Sequence, residues 1–131
     1  MDLGISGKIA VVNGGSAGMG KGSAIALAKE GVSLFISARG ERRLIETCKA
    51  IEKETGVIAE PIVADHSTDK GREKILLACP DPDILVGTCT PPPFTNSYEE
   101  VSTNEWRQTL DVALLSPVEL SLIHISEPTR P

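Results

Sequence analysis

An apolar run that stops abruptly in glycines is the feature that most restricts how this chain can fold. Residues 9–22 read IAVVNGGSAGMGKG, and a helical pattern rich in alanine and leucine continues through residues 21–30. Glycine permits positive φ and close backbone approach, and a following helix points its free N–H groups and positive dipole end at the loop. The segment therefore predicts a buried strand, a phosphate-binding turn and a helix. A glycine turn without a ligand is the alternative that this segment leaves open.

Strands and helices alternate along the chain. Strands are predicted at residues 9–12, 34–36, 57–63 and 84–86, and helices at residues 21–30, 41–55, 68–78 and 105–119. Ser102 and Glu105 form a capping-box pattern before the last helix. The alternation predicts an α/β fold, a Rossmann-like doubly wound parallel sheet truncated after the fourth strand and its following helix. The expected strand order is 3-2-1-4, which leaves the fourth strand at an edge.

Charge and cysteine content exclude several classes of function. The net charge of -5 over 131 residues argues against nucleic acid or an anionic membrane as a partner. The three cysteines form no C-x-x-C pair, which fits a reducing cytosol better than a disulfide framework or a zinc site. No apolar run is long enough to cross a bilayer. We therefore expect a soluble, cytoplasmic protein without a metal site.

Several motifs in a consistent order give the chain a family resemblance. Residues 13–20, NGGSAGMG, resemble the T-G-x-x-x-G-x-G loop of the short-chain dehydrogenases/reductases, with Asn13 in place of threonine. Residues 83–86, DILV, resemble the strand before that family's N-N-A-G motif, and residues 106–115 resemble its long interface helix. The resemblance covers roughly residues 3–120. It implies a nicotinamide dinucleotide cofactor, a small carbonyl or alcohol substrate and a homo-oligomeric parent protein.

The resemblance also assigns cofactor-binding residues. Backbone amides of the glycine loop would hold the pyrophosphate and adenosine ribose, and the residues after the third and fourth strands would meet the adenine and the nicotinamide ribose. The implied set is Gly14, Ser16, Gly18, Met19, Gly20, Arg39, Asp65, His66 and Gly87. A simple cap after a strand is the alternative for Asp65, and the side chain of His66 is expected at the surface.

Arg39 bears on the choice of cofactor. Rossmann sites that prefer NAD place a carboxylate near the end of the second strand, where it binds the ribose hydroxyls. Here that position is Ala38 and the next residue is Arg39, so a 2'-phosphate would meet a cation. The sequence therefore favours NADP(H) over NAD(H). The alternative is that Arg39 is one more solvated charge beside Glu41, Arg42 and Arg43.

The catalytic residues of the family are missing from this chain. Gly87, Thr88, Cys89 and Thr90 stand where N-N-A-G is expected, and the loss of that asparagine leaves the geometry near the nicotinamide ribose open. Ala113 stands where the family's tetrad asparagine would be. Tyr98 is the sole tyrosine and begins no Y-x-x-x-K motif. In that family the tyrosine acts as general acid beside lysine and serine, so the fragment is expected to be inactive and to have no catalytic residue of its own.

The last residues resemble no part of the family. From Leu120 to Arg130 the chain resembles the conceptual translation of a transposase adapter used in sequencing-library preparation. We therefore expect residues 1–119 to form an NADP(H)-binding Rossmann half-domain and residues 120–131 to be a non-native tail. A natural helix end and tail is the alternative.

Two other functions are compatible with parts of the sequence. A catalytically inactive NADP-binding module would lack the same residues. A degenerate P-loop would explain Gly15, Gly20 and Lys21, but Gly22 occupies the position that must offer a hydroxyl to magnesium.

Overall fold

Four strands alternate with helices in the computed structural model, which describes residues 2–88 and 97–125. The strands are β1 (Ile9–Asn13), β2 (Ser33–Ala38), β3 (Ala59–Val63) and β4 (Ile84–Gly87). The helices are α1 (Gly18–Lys29), α2 (Glu41–Thr55), α3 (Asp69–Ala78), α4 (Thr103–Leu110) and α5 (Ser116–Ile125). A short 3-10 turn covers Tyr98–Glu100, and a π-helical segment, Asp111–Leu115, joins α4 to α5.

The strands form one parallel sheet in the order β3-β2-β1-β4. Val11 of β1 lies beside Phe35 of β2 and Leu85 of β4, so the centre of β1 is paired on both sides. The predicted doubly wound topology is confirmed. Within the described residues, β4 is paired only with β1 and forms an edge.

Most element boundaries follow the predicted ones, with two informative differences. α1 begins at Gly18, three residues earlier than predicted, so the last glycines of the loop already belong to the helix. β3 begins at Ala59 rather than at residue 57. The predicted capping box is present, with Ser102 Oγ accepting from the Glu105 amide and the Glu105 carboxylate accepting from the Ser102 amide.

The sheet is covered on both faces because its strands are apolar on both sides. Ala10, Val12 and Leu34 face the core shared with α1 and α2, where Leu44 and Ile51 are fully buried. Another cluster, on the other side, contains Val11, Ile62, Ile75 and Cys79. Both layers leave the carboxyl ends of the strands open.

The segment from residue 103 to residue 125, which we call the long helix, runs without interruption through α4, the π-helical segment and α5. Val112, Ser116 and Leu120 are buried at a spacing of four residues. Six large apolar side chains between residues 106 and 122 are exposed on the rest of its surface. Among the described residues, no helix combines the length and apolarity that crossing a membrane requires.

Candidate functional site

The carboxyl ends of β1, β2 and β3 open into a cleft of about 740 Å³. This is where parallel α/β sheets bind ligands. The cleft is lined by Gly14, Ser16, Ala17, Gly18, Met19, Ser37, Ala38, Arg39, Gly40, Arg43, Ala64, Asp65, His66, Thr88 and Val112. Seven of the nine residues implied by the resemblance are in this lining; Gly20 and Gly87 are not.

Hydrogen bonds to β2 and α2 hold the glycine loop in place. Gly14 (φ 79°) donates its amide to the Ser37 carbonyl at 2.9 Å, and Thr47 Oγ1 of α2 donates to the Ser16 carbonyl at 3.4 Å. Gly18 opens α1 at φ 57°. No side chain caps this helix, since Ala17 occupies the N-cap position. The first backbone amides of α1 therefore have no side-chain acceptor and point toward the cleft. Free amides at a helix N-terminus are a favourable site for an anion.

Gly20 lies outside the lining but fixes how closely α1 packs on the loop. A Cβ at Gly20 would lie 2.2 Å from the Gly14 carbonyl oxygen and 2.4 Å from Thr88 Oγ1. Gly15, which is not in the implied cofactor-binding set, is also crowded, because a Cβ there would lie 2.4 Å from Ile36 Cγ2. A Cβ at Gly18 would meet nothing within 4 Å, so Gly18 is required for its positive φ.

A small polar network joins β2, β1 and β4 beneath the loop. The buried Ser37 hydroxyl donates to Asn13 Oδ1 at 2.6 Å, which gives Asn13 a role as acceptor where the family carries threonine. Thr88 donates both its amide (3.1 Å) and its hydroxyl (2.9 Å) to the Asn13 carbonyl. The hydroxyl of Thr88 therefore links β4 to β1 at the position where the resemblance implies a missing asparagine. Gly87 is the exposed last residue of β4 and pairs with Asn13.

Asp65 combines a local structural role with a position in the cleft. Its Oδ1 accepts from the Ser67 amide at 3.0 Å and from the Ser67 hydroxyl at 2.6 Å. Partial burial acts to raise the pKa of Asp65, but these bonds and the nearby charge of Arg39 hold that pKa below its usual value. Asp65 is therefore an ionised acceptor at the cleft that also shapes the turn before α3.

The prediction that the His66 side chain lies at the surface is wrong. His66 is 8% exposed, and its Nε2 atom is buried without a hydrogen-bond partner among the described residues. Burial lowers the pKa of His66, and the charges of Arg72 and Arg39 lower it further, against the opposing effects of Asp65 and the Val112 backbone. The long helix covers this position from a distant part of the chain.

Arg72 links the residues around His66 to the long helix. One of its nitrogens donates to the His66 carbonyl at 3.0 Å and to the fully buried Ser116 hydroxyl at 2.9 Å, and the guanidinium also pairs with Asp69. The strand ends that carry the cleft are thereby connected to the long helix.

The corner of the cleft beside the end of β2 carries cations. Arg39 follows β2 directly and is exposed in the cleft lining, and Ala38 before it offers no carboxylate. Arg43, in the first turn of α2, lines the same cleft. The sequence predicts this position for Arg39, but it gives no signal that Arg43 lies in the same cleft.

Residues that could carry other chemistry are placed away from the cleft. Tyr98 is exposed and is absent from the lining, and Ala113 is exposed in the π-helical segment. Cys48 is buried in the core, where burial and the nearby Glu52 and Glu60 raise the pKa of its thiol to about 11. No cluster of metal-binding side chains occurs in residues 2–88 or 97–125. Cys89, Thr90 and the three prolines after them lie outside the described residues.

The order of the strands and the cleft at their carboxyl ends define a Rossmann-type α/β fold, and comparison with known proteins gives its family. A family model described as short chain dehydrogenase matches residues 8–127. The chain therefore belongs to the short-chain dehydrogenase family, which excludes the P-loop interpretation of the glycine loop.

Curated relatives agree with this assignment. An uncharacterized oxidoreductase, YvaG, of Bacillus subtilis is 30% identical over 92% of this chain and 46% of its own length. A probable 2,4-dienoyl-CoA reductase of Caenorhabditis elegans is 34% identical over 86% of this chain and 38% of its own length. The chain thus spans less than half the length of these two relatives.

Solved structures show the same correspondence. L-sorbose reductase from Gluconobacter frateurii, in complex with NADPH and L-sorbose, superposes with a TM-score of 0.90 at 28% identity, over 96% of this chain and 49% of that one. An alcohol dehydrogenase from Thermococcus sibiricus, in complex with 5-hydroxy-NADP, superposes with a TM-score of 0.80 at 28% identity, over 91% of this chain and 52% of that one.

Proposed function

We propose that residues 1–119 are the cofactor-binding half of an NADP(H)-dependent short-chain oxidoreductase. The bound cofactor supplies or accepts the hydride in the parent protein, and the other reactant is a small carbonyl compound or alcohol. The observation that carries the proposal is the open glycine loop facing Arg39 across one cleft, with no carboxylate at the end of β2.

The residues present fit such a cofactor. The uncapped first turn of α1 offers amides to the pyrophosphate, and the ionised Asp65 offers an acceptor to the adenine amino group. The crowded Gly20 keeps the helix close enough to the loop for these amides to reach the cleft. Two NADP(H)-type complexes among the similar structures support the phosphorylated cofactor.

The cofactor preference is tested with the chain and its Arg39→Ala variant by calorimetric titration of NADPH and NADH. A charge-assisted bond contributes about 1.5 to 3 kcal/mol, or roughly one to two decades in affinity. Arg39→Ala should weaken NADPH binding by that amount and leave NADH binding almost unchanged. An equal loss for both cofactors would show that Arg39 does not select the phosphate.

We further propose that the chain does not reduce carbonyl compounds on its own. The tyrosine, lysine and serine of the family chemistry have no counterpart in this sequence, and Ala113 replaces the tetrad asparagine. The parent protein would be a cytoplasmic homo-oligomer that carries those residues in its second half. NADPH oxidation by the chain in the presence of ketones would contradict this proposal.

Residues 120–131 are proposed to be a non-native tail because of their resemblance to a translated adapter. The proposed boundary lies inside α5, which continues to Ile125 and buries Leu120, and inside the family match, which runs to residue 127. Sequencing the source locus separates the two interpretations. An in-frame Y-x-x-x-K downstream of residue 119 supports a truncated enzyme, whereas a natural stop codon near residue 131 supports a catalytically inactive NADP-binding module.

A further inference from the structure

Met19 places a thioether in the lining of the cleft. It is the second residue of α1 and is 80% exposed. Among the described residues that line the cleft, no other large apolar side chain is exposed. The Met19 side chain therefore lies in solvent until a ligand enters the cleft and covers it.

The other sulfur atoms in the described part of the chain are shielded. Cys48 and Cys79 are only 2% and 5% exposed, and burial raises the pKa of both thiols, that of Cys48 to about 11. A thiol reacts with oxidants as its thiolate, so both groups react slowly. A thioether has no proton to lose, and its reactivity depends on access. Met19 is therefore the described sulfur atom that an oxidant in solution meets first.

Oxidation of Met19 would change the polarity of the site at which an anion is expected. Gly18 and Met19 open α1, and Ala17 before them provides no side-chain cap, so free backbone amides lie close to the thioether. A sulfoxide is polar and carries a partly negative oxygen, whereas the thioether is apolar. That oxygen would compete with a pyrophosphate for the amides, and covering it with a ligand would cost desolvation free energy.

We propose that Met19 is a site of reversible oxidation, at which a peroxide converts the thioether to a sulfoxide and lowers the affinity of the cleft for NADP(H). This proposal rests on the proposed cofactor site and adds a modification to it. With hydrogen peroxide, the sulfur lone pair attacks one oxygen, the S–O bond forms as the O–O bond breaks, and the other oxygen leaves as water. The sulfur loses two electrons. A sulfoxide reductase reverses the step with two thiols, which become a disulfide while the oxygen leaves as water.

The first measurement follows the oxidation of both methionines of the chain, Met1 and Met19, by peptide mass spectrometry. The chain is treated with dilute hydrogen peroxide with and without NADP⁺, and each methionine peptide is followed for the addition of one oxygen. At about ten times Kd only about one-tenth of the clefts stay empty, so oxidation of Met19 should slow about tenfold. Met1 is the internal control for peroxide lost to the nucleotide, and its rate should not change.

The second measurement is calorimetric titration of NADP⁺ before and after peroxide treatment. Burying an apolar side chain of this size contributes about one to two decades to an equilibrium constant, so the sulfoxide should weaken NADP⁺ binding by about tenfold. Methionine sulfoxide reductases A and B together should restore the affinity, because each reduces one epimer. A simple thiol reagent alone should not restore it.

Two variants identify the group that reacts. Met19→Leu is compared only with its own untreated form, and peroxide should leave its affinity unchanged because leucine carries no sulfur. Cys89 is the remaining thiol of the chain and lies outside the described residues, so Cys89→Ser is the matched control. Its peroxide-induced loss should equal that of the unaltered chain. Circular dichroism after treatment checks that the fold is retained.

Several results would overturn the proposal. If the untreated chain does not bind NADP⁺, the cofactor site fails and the role of Met19 fails with it. If NADP⁺ binds but does not slow oxidation of Met19, or slows it equally at Met1, the role of Met19 is wrong and the cofactor site stands. The same conclusion follows if the oxidised chain keeps its affinity or loses its helical signal. If treated Met19→Leu still loses affinity while Cys89→Ser resists, the reactive group is Cys89.

Discussion

The cleft at the carboxyl ends of the strands and the long helix differ in how far their surfaces are covered. At the cleft, loop amides, two arginines and one carboxylate converge, and the core beneath them is fully buried. On the long helix six large apolar side chains are 42% to 56% exposed, namely Trp106, Leu110, Leu114, Leu115, Val118 and Leu122. The cleft is an open site lined by polar groups, whereas the long helix leaves apolar side chains uncovered among the described residues.

This difference follows from how each region obtains its contacts. Most of the cleft is built from residues 9–66, which include β1, β2 and β3. These three paired strands of the same chain stabilise the glycine loop. The long helix packs through Val112, Ser116 and Leu120. Five of its exposed apolar residues, at positions 106, 110, 114, 118 and 122, recur every four positions on its outer surface. In the family that the sequence resembles, this helix lies at a subunit interface.

The largest effect is expected from closing the space between α1 and the loop. In Gly20→Val the new Cβ would clash with the Gly14 carbonyl, which is backbone and cannot move without displacing the loop. We expect loss of measurable NADPH binding and a lower melting temperature. Gly22→Ala in the same helix is the control, because a Cβ there meets nothing within 4 Å; it should keep binding and stabilise the helix by about 0.5 to 1 kcal/mol. Tight NADPH binding by Gly20→Val would show that the loop does not need this close approach.

The long helix should make the isolated chain self-associate. Burying one leucine contributes about 1.5 to 3 kcal/mol, so the paired change Leu110→Lys and Leu114→Lys should weaken association by more than about tenfold in light scattering. Leu77→Lys on α3 is the control, since Leu77 is 78% exposed but belongs to a different surface. A monodisperse monomer with a sharp, cooperative melt for the unaltered chain would contradict the comparison between the two regions.

The fold could be predicted in most of its elements because its signals are local. The apolar run of β1, the stripe of Leu44, Cys48 and Ile51, and the Ser102 capping box each depend on residues close in sequence. The order β3-β2-β1-β4 then follows from general rules for parallel sheets and from the family resemblance. The sequence does not locate the starts of α1 and β3, because glycine at residue 18 is compatible with a loop or a helix and valine at residue 57 with a loop or a strand.

The sequence predicts most of the cleft lining through local motifs and the family resemblance, but not the contacts between distant segments. The glycine loop and Arg39 were found, whereas the burial of His66 depends on the long helix, about 46 residues further along. The hydroxyl of Thr88 reaches Asn13 across 75 positions, and no local pattern marks such a bond. Arg43 looks like an ordinary helix-surface arginine until α2 is placed beside the loop.

A moderate effect is expected from removing the Thr88 hydroxyl, which joins β4 to the end of β1 beside the glycine loop. Thr88→Val keeps the shape but deletes the donor to the Asn13 carbonyl, a bond that contributes about 1 kcal/mol. Urea unfolding should show a loss of about that size, and NADPH binding should weaken a few-fold. Thr88→Ser keeps the donor and should retain most of the stability. Identical stability of the valine and serine variants would show that the hydroxyl does not stabilise this strand pair.

The smallest effect concerns pH at the corner where the cleft meets the long helix. Burial lowers the pKa of His66 below its usual value of about 6.5, so the unfolded chain binds a proton there more readily than the folded chain does. Stability must therefore fall as the pH is lowered through about 6.5, and Asp65, whose pKa is also lowered, adds a further loss only at more acidic pH. Thermal melts between about pH 7.5 and 5.5 should show this decline, and His66→Gln should reduce it, because glutamine does not titrate in that range. Arg72→Lys is the companion variant: it keeps a positive charge near His66 but loses part of the link to Ser116, so it should lower stability at every pH while preserving the slope. An unchanged slope in His66→Gln would show that this histidine is not what makes the corner sensitive to acid.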